Sequence, residues 1–203
     1  MEQEQGISEA MRIKPVDLFD KLKVWLFGQI IWRLVYRSAS TRWLLHRILP
    51  ILRCNKPKER KVLGQKLLLN PNRSVLEMKL WLLGMYEPEV VDYFNTEVSP
   101  GQIIVDIGAN IGLFTLMGAE IVGQQGRVIA YEPHPDTFQE LCGNIERNGY
   151  ANVMPVQCAL SDTPGILRMN VCSDCDLNSV ALRADQKVID VSAKTLDASL
   201  KEL

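Results

Sequence analysis

The chain has 203 residues, 47% of them hydrophobic, and a formal net charge of -1. That is enough apolar matter for one domain with a lead-in, and it excludes a disordered polar chain. The near-neutral total hides an asymmetry: residues 11–66 carry 14 Lys or Arg against 3 acids (+11), whereas residues 67–203 sum to -9.

The front is helical by pattern. Phe19, Leu22, Leu26, Ile30 and Leu34 recur at three- and four-residue steps beside Trp25, Trp32 and a set of lysines and arginines, and Thr41 to Arg53 repeats the style. Basic and aromatic residues on an apolar helix suit an anionic membrane surface, so peripheral contact through residues 11–66 is one expectation. A helical cap with a solvated basic face is the other, and no nucleic acid is expected. No apolar run approaches the roughly 20 residues that span a bilayer. The opening Met-Glu-Gln-Glu-Gln has the wrong charge for a secretion signal. With 5 cysteines and no export signal, a cytoplasmic location, at most membrane-peripheral, is expected. The expected division is a basic amphipathic lead-in over 1–60 and a cofactor-binding domain over 61–203. Lys58 to Lys61 reads as an exposed linker and Leu63 to Leu69 as a strand.

Ile103-Ile104-Val105-Asp106-Ile107-Gly108-Ala109-Asn110-Ile111-Gly112 is the most informative stretch. A branched apolar run closed by a turn suits a strand of a parallel sheet buried on both faces. The glycines allow a sharp turn and close approach of a ligand, and the helix expected over Leu113 to Val122 would offer free N–H groups to it. A dinucleotide loop would need a glycine where Asp106 stands, and a phosphate loop would need Lys-Ser or Lys-Thr after Gly112. An acid at a strand end suits a cationic amino group, such as that of S-adenosylmethionine. The plain alternative is a structural turn.

A second strand, Arg127 to Tyr131, ends in Glu132, 26 residues after Asp106. An acid there commonly accepts from ribose hydroxyls in doubly wound sheets. Pro133-His134-Pro135-Asp136 starts a helix whose apolar stripe is Phe138, Leu141, Cys142 and Ile145, stopped by Asn148-Gly149. A third strand, Val153 to Gln157, leads to Ala159-Leu160-Ser161-Asp162. Asp106, Glu132 and Asp162 would then face one crevice. Ile166 to Val171 and Val188 to Val191 are further strand candidates. Cys172-Ser173-Asp174-Cys175 has the spacing of a metal knuckle, but nothing completes a zinc site and no metal is expected.

Val-Asp-Ile-Gly-Ala-Asn-Ile-Gly, Tyr-Glu-Pro-His-Pro and Ala-Leu-Ser-Asp together resemble the FkbM-type methyltransferases. Gly84-Met85-Tyr86-Glu87-Pro88 and Thr195-Leu196-Asp197 also look like that family, so the resemblance covers residues 62 to 203. It implies an α/β fold: a partial doubly wound, Rossmann-like methyltransferase sheet, preceded here by the helical segment. It implies S-adenosylmethionine as cofactor and a small-molecule or glycan hydroxyl as acceptor. By this resemblance Asp106 holds the methionine amino group, and Gly108, Asn110 and Gly112 shape the loop. Glu132 binds ribose, His134 sits beside ribose or adenine, Asp162 lies near adenine, and Tyr86 closes over the cofactor. No catalytic base is identified.

Family members continue with a strand ending in a motif like Lys-Ile-Asp-Val-Glu-Gly, whereas this chain stops at Leu203. The expectation is a truncated member whose first strand is left as an edge. The competing readings are a noncatalytic fragment or membrane-associated binding module, and a nucleotide-dependent oxidoreductase.

Overall fold

The computed structural model describes residues 56–171 and 187–203. The expected helices of the basic front and the Cys172–Cys175 knuckle lie outside those residues. None of the described helices is long and apolar enough to cross a membrane.

Lys58–Val62 (β1) and Gln65–Leu69 (β2) form an antiparallel hairpin closed by Leu63-Gly64. Both turn residues have positive φ, the geometry that a two-residue hairpin loop prefers. The charge run expected to be a linker is therefore a strand, and the boundary expected at residue 60 falls inside it. Its first four residues are exposed, so alternation gave no sign of it; the backbone ladder to β2 holds it, while Leu67 and Leu69 of β2 are buried. The free edge of β2 is closed by helix side chains. Asn148 accepts from the Lys66 N–H at 2.9 Å and donates to its carbonyl at 2.8 Å. Asn144 accepts from Leu68 N–H at 2.9 Å and donates to the Ile111 carbonyl at 2.8 Å.

Two helices follow. Val75–Leu83 (α1) starts at Ser74, whose hydroxyl accepts from Glu77 N–H, and stops at the left-handed Gly84. Pro88–Glu97 (α2) begins with proline at its first turn. Next come Ile103–Ile107 (β3), Leu113–Val122 (α3), Arg127–Tyr131 (β4), Pro135–Asn148 (α4) and Val153–Val156 (β5). The three strands are parallel in the order β3-β4-β5, as two helical crossovers require.

Strand alternation decides which helix covers which face. Val128 and Ala130 pack toward α3 and α4, whereas Ile129 and Tyr131 point the other way. That second face meets Leu160 and Leu196, the latter at the start of Leu196–Glu202 (α5). Tyr131 donates from its hydroxyl to Ser199 at 2.9 Å, tying α5 to the sheet centre. Helices thus lie on both faces, the doubly wound arrangement.

The expected burial of the first strand on both faces is not what the structure shows. β3 pairs only with β4 among the described residues, and Ile103 and Ile107 are 71% and 60% exposed. A strand with one neighbour has no second strand to shield its side, so the edge reading holds instead.

Ala159–Leu160 (β6), Gly165–Val171 (β7) and Lys187–Lys194 (β8) make a separate sheet in the order β6-β8-β7. The two later strand candidates are thereby present and antiparallel to each other.

Candidate functional site

The C-terminal end of β3 opens onto a cavity of about 300 Å³. Its wall includes Tyr86, Asp106, Gly108, Asn110, Leu113 and Phe114. Aromatic packing stiffens one side: Phe114 lies 6.4 Å from Tyr86 and 5.8 Å from Phe94, ring centre to ring centre.

The turn from β3 to α3 satisfies its own amides. Gly108 and Ala109 both donate to the Tyr131 carbonyl at 2.9 Å. Asn110 N–H donates to Glu132 Oε2 at 2.9 Å, Ile111 N–H to Asn110 Oδ1 at 2.8 Å, and Gly112 N–H to the Ala109 carbonyl. The amides of Gly108 to Gly112, the turn ahead of the helix, are therefore already used by the protein. A loop without spare donors is a poor anion cradle, and the polar group it offers is a carboxylate.

That carboxylate is Asp106, at the fourth position of β3. Its Oδ2 accepts from the Thr115 hydroxyl at 2.5 Å. Burial pushes its pKa up, and the hydroxyl and backbone N–H of Thr115 partly oppose this. Gly108 has φ +77, and a Cβ there would meet nothing within 4 Å, so its open side belongs to the cavity. Asn110 has φ +51, a left-handed conformation tolerable for Asn.

The other expected site residues lie elsewhere. Gly112 is a packing glycine: at φ +94 its missing Cβ would stand 2.7 Å from Leu141 Cδ1 of α4. Glu132 is buried behind the loop, accepting from Asn110 N–H and from His134 N–H, both at 2.9 Å. Burial raises its pKa most, and the charge of Asp106 adds to that rise. His134 is buried at the start of α4, and its Nδ1 has no hydrogen-bond partner among the described residues.

Asp162 is exposed after β6 and accepts from the hydroxyls of Ser161 and Thr163, both at 3.1 Å. It does not line the cavity. The expected convergence of three acids reduces to Asp106 and Glu132, because β6 pairs with β8 and not with the parallel sheet. Sequence reasoning missed Thr115, Phe114 and Glu87. Thr115 did carry a signal, as a hydroxyl within an apolar helix. Glu87, left-handed at φ +43, lines the cavity from the start of α2.

Comparison with known proteins bears on this loop directly. Residues 106–203 match the model of the methyltransferase FkbM domain. The 31-O-demethyl-FK506 methyltransferase FkbM of Streptomyces tacrolimicus is 40% identical over 85 residues, which are 42% of this chain and 32% of that protein. The hexuronic acid methyltransferase AglP of Haloferax volcanii is 33% identical over 79 residues, covering 39% and 31%. The chain thus spans about a third of the length of these curated relatives. Among solved structures, P. horikoshii TYW2 in complex with MeSAdo is similar at 25% identity and a TM-score of 0.41, over 55% of this chain and 39% of that one. Asp106, the turn after it and the following helix lie inside the matched stretch, so over residues 106–203, just under half of its length, the chain is similar to the methyltransferase FkbM domain.

Proposed function

We propose that the cavity beside Asp106 binds S-adenosylmethionine and that the protein uses it to methylate a hydroxyl of a small molecule or sugar. The observation that carries this reading is the single buried acid at the end of β3, in a loop whose own amides are satisfied. Such a site favours a cationic group over a phosphate. The relatives' names, a 31-O-demethyl-FK506 methyltransferase and a hexuronic acid methyltransferase, support the hydroxyl acceptor.

The bound cofactor supplies an electron-poor methyl on sulfur. The chain's residues do the rest. Asp106 pairs with the ammonium of the methionine end, and the open side of Gly108 admits the ligand against the backbone. Asn110 keeps the turn in shape, and Tyr86 with Phe114 forms an apolar wall that excludes water. Glu132 supports the turn from behind through the two backbone N–H groups it accepts. His134 stands beside the sugar or base. Orientation of the acceptor supplies much of the acceleration in such a transfer.

Titration calorimetry of the chain tests this reading. Heat is expected with S-adenosylmethionine and with S-adenosylhomocysteine, which keeps the ammonium, and none with NAD. Asp106→Asn should weaken both by about 1.5–3 kcal/mol, the range for a hydrogen bond to a charged group. No heat with either ligand, or undiminished affinity in the variant, would overturn it.

A further inference from the structure

Thr115 is the third residue of α3, fully buried, in the run Leu-Phe-Thr-Leu-Met-Gly-Ala. A hydroxyl there must find an acceptor, since an unpaired one costs about 1–3 kcal/mol. The usual acceptor for a helical threonine is the carbonyl four residues back. Here that carbonyl, of Ile111, receives the Asn144 amide at 2.8 Å. The Thr115 hydroxyl instead reaches out of the helix to Asp106 Oδ2 at 2.5 Å. Its branched Cβ restricts rotation, so the donor is fixed before any ligand arrives.

We propose that Thr115 is the positioning residue for Asp106: it holds one oxygen against α3 so that the remaining lone pairs of the carboxylate present to the cavity. This rests on the reading that Asp106 receives the ammonium of the cofactor. The need for such a hold is visible around the acid. Glu132, from the end of β4, faces it with like charge. Glu87 adds a second carboxylate to the cavity wall from the start of α2, and Tyr86 lines the same wall with Lys79 Nζ over its ring at 5.2 Å. Burial disfavours the ionised acid. The hydroxyl of Thr115 opposes both influences at the atom where charge resides.

Calorimetry with S-adenosylhomocysteine across pH, on the chain and on Thr115→Val and Thr115→Ser, tests the proposal. Thr115→Val keeps the shape and removes the donor. It should weaken binding at neutral pH by about tenfold or more, and the pH at which binding is lost on acidification should move upward. Thr115→Ser should restore both. Unchanged affinity and pH profile in Thr115→Val overturns the proposal, as does weakening with an unmoved pH profile that Ser leaves uncorrected, since that is packing alone. Thr115→Ala replaces Val if the latter does not fold. Should the wild-type chain bind neither cofactor form, the cofactor reading fails, and a carbon-13 titration of the Asp106 carboxyl in the ligand-free chain decides the positioning. A midpoint raised in Thr115→Val and restored in Thr115→Ser upholds it; an unmoved midpoint overturns it.

Discussion

Asp106 and Glu132 are both acids at the ends of neighbouring parallel strands, and burial pushes the pKa of each upward. Their surroundings separate them. Glu132 faces inward and takes a backbone N–H on each oxygen, so it joins the turn after β3 to the turn after β4. Asp106 is held by a single residue, through the hydroxyl and backbone N–H of Thr115, and borders the cavity. One acid builds the floor and the other meets the guest. Equivalent positions in a repeated β-turn-α unit therefore do not imply equivalent work.

The sharpest way to test this division is to damage the floor without touching the guest's side. Gly112→Val forces a side chain onto Leu141 at a left-handed position. Overpacking and left-handed strain together should cost about 2–5 kcal/mol, read as a lower urea midpoint. Next comes Glu132→Gln, which replaces one acceptor with a donor facing a backbone N–H. It should lower stability by about 1–3 kcal/mol, whereas Asp106→Asn should chiefly lower ligand affinity. If Glu132→Gln left the urea midpoint unchanged, the contrast between the two acids would fail.

The smallest expected effect is on the pH dependence of folding. A carboxyl whose pKa is raised on folding favours the protonated native state. Its contribution to stability is therefore fully present below the unfolded pKa and is lost as pH rises through the folded one. Asp106 and Glu132 should both make the ligand-free chain less stable as pH climbs from the ordinary carboxylate range through their raised values. Urea midpoints measured across that window should fall less steeply in Asp106→Asn than in the wild type. Equal slopes would mean that Asp106 is not held ionised against its surroundings.

The strand and helix pattern from Ile103 to Val156 was legible because apolar periodicity there reflects burial against helices. So was the acid at the end of β3, because its place relative to Gly108 is a matter of spacing. The destination of the loop amides was not legible: whether Asn110 N–H meets Glu132 or a ligand depends on the twist between strands, which no spacing encodes. Gly112 looked like its neighbour Gly108, although one accommodates Leu141 and the other opens to the cavity. Asp162 was misplaced because adjacency in sequence to β5 says nothing of its strand's partner, which is β8. The hairpin strand Lys58–Val62 hid behind charge, its support coming from backbone pairing that side-chain polarity does not reveal.

Asn144 carries a consequence for handling the protein. With its carbonyl on Leu68 and its amide on Ile111, one side chain tethers the hairpin to the residue next to the ligand turn. Mechanical load on the hairpin, such as drag from a bulky fusion or surface immobilisation ahead of Lys58, is transmitted through that tether to the mouth of the cavity. Attachment chemistry for sensors or resins is therefore better sited on an exposed position remote from this link, such as Gln124 in the bend after α3.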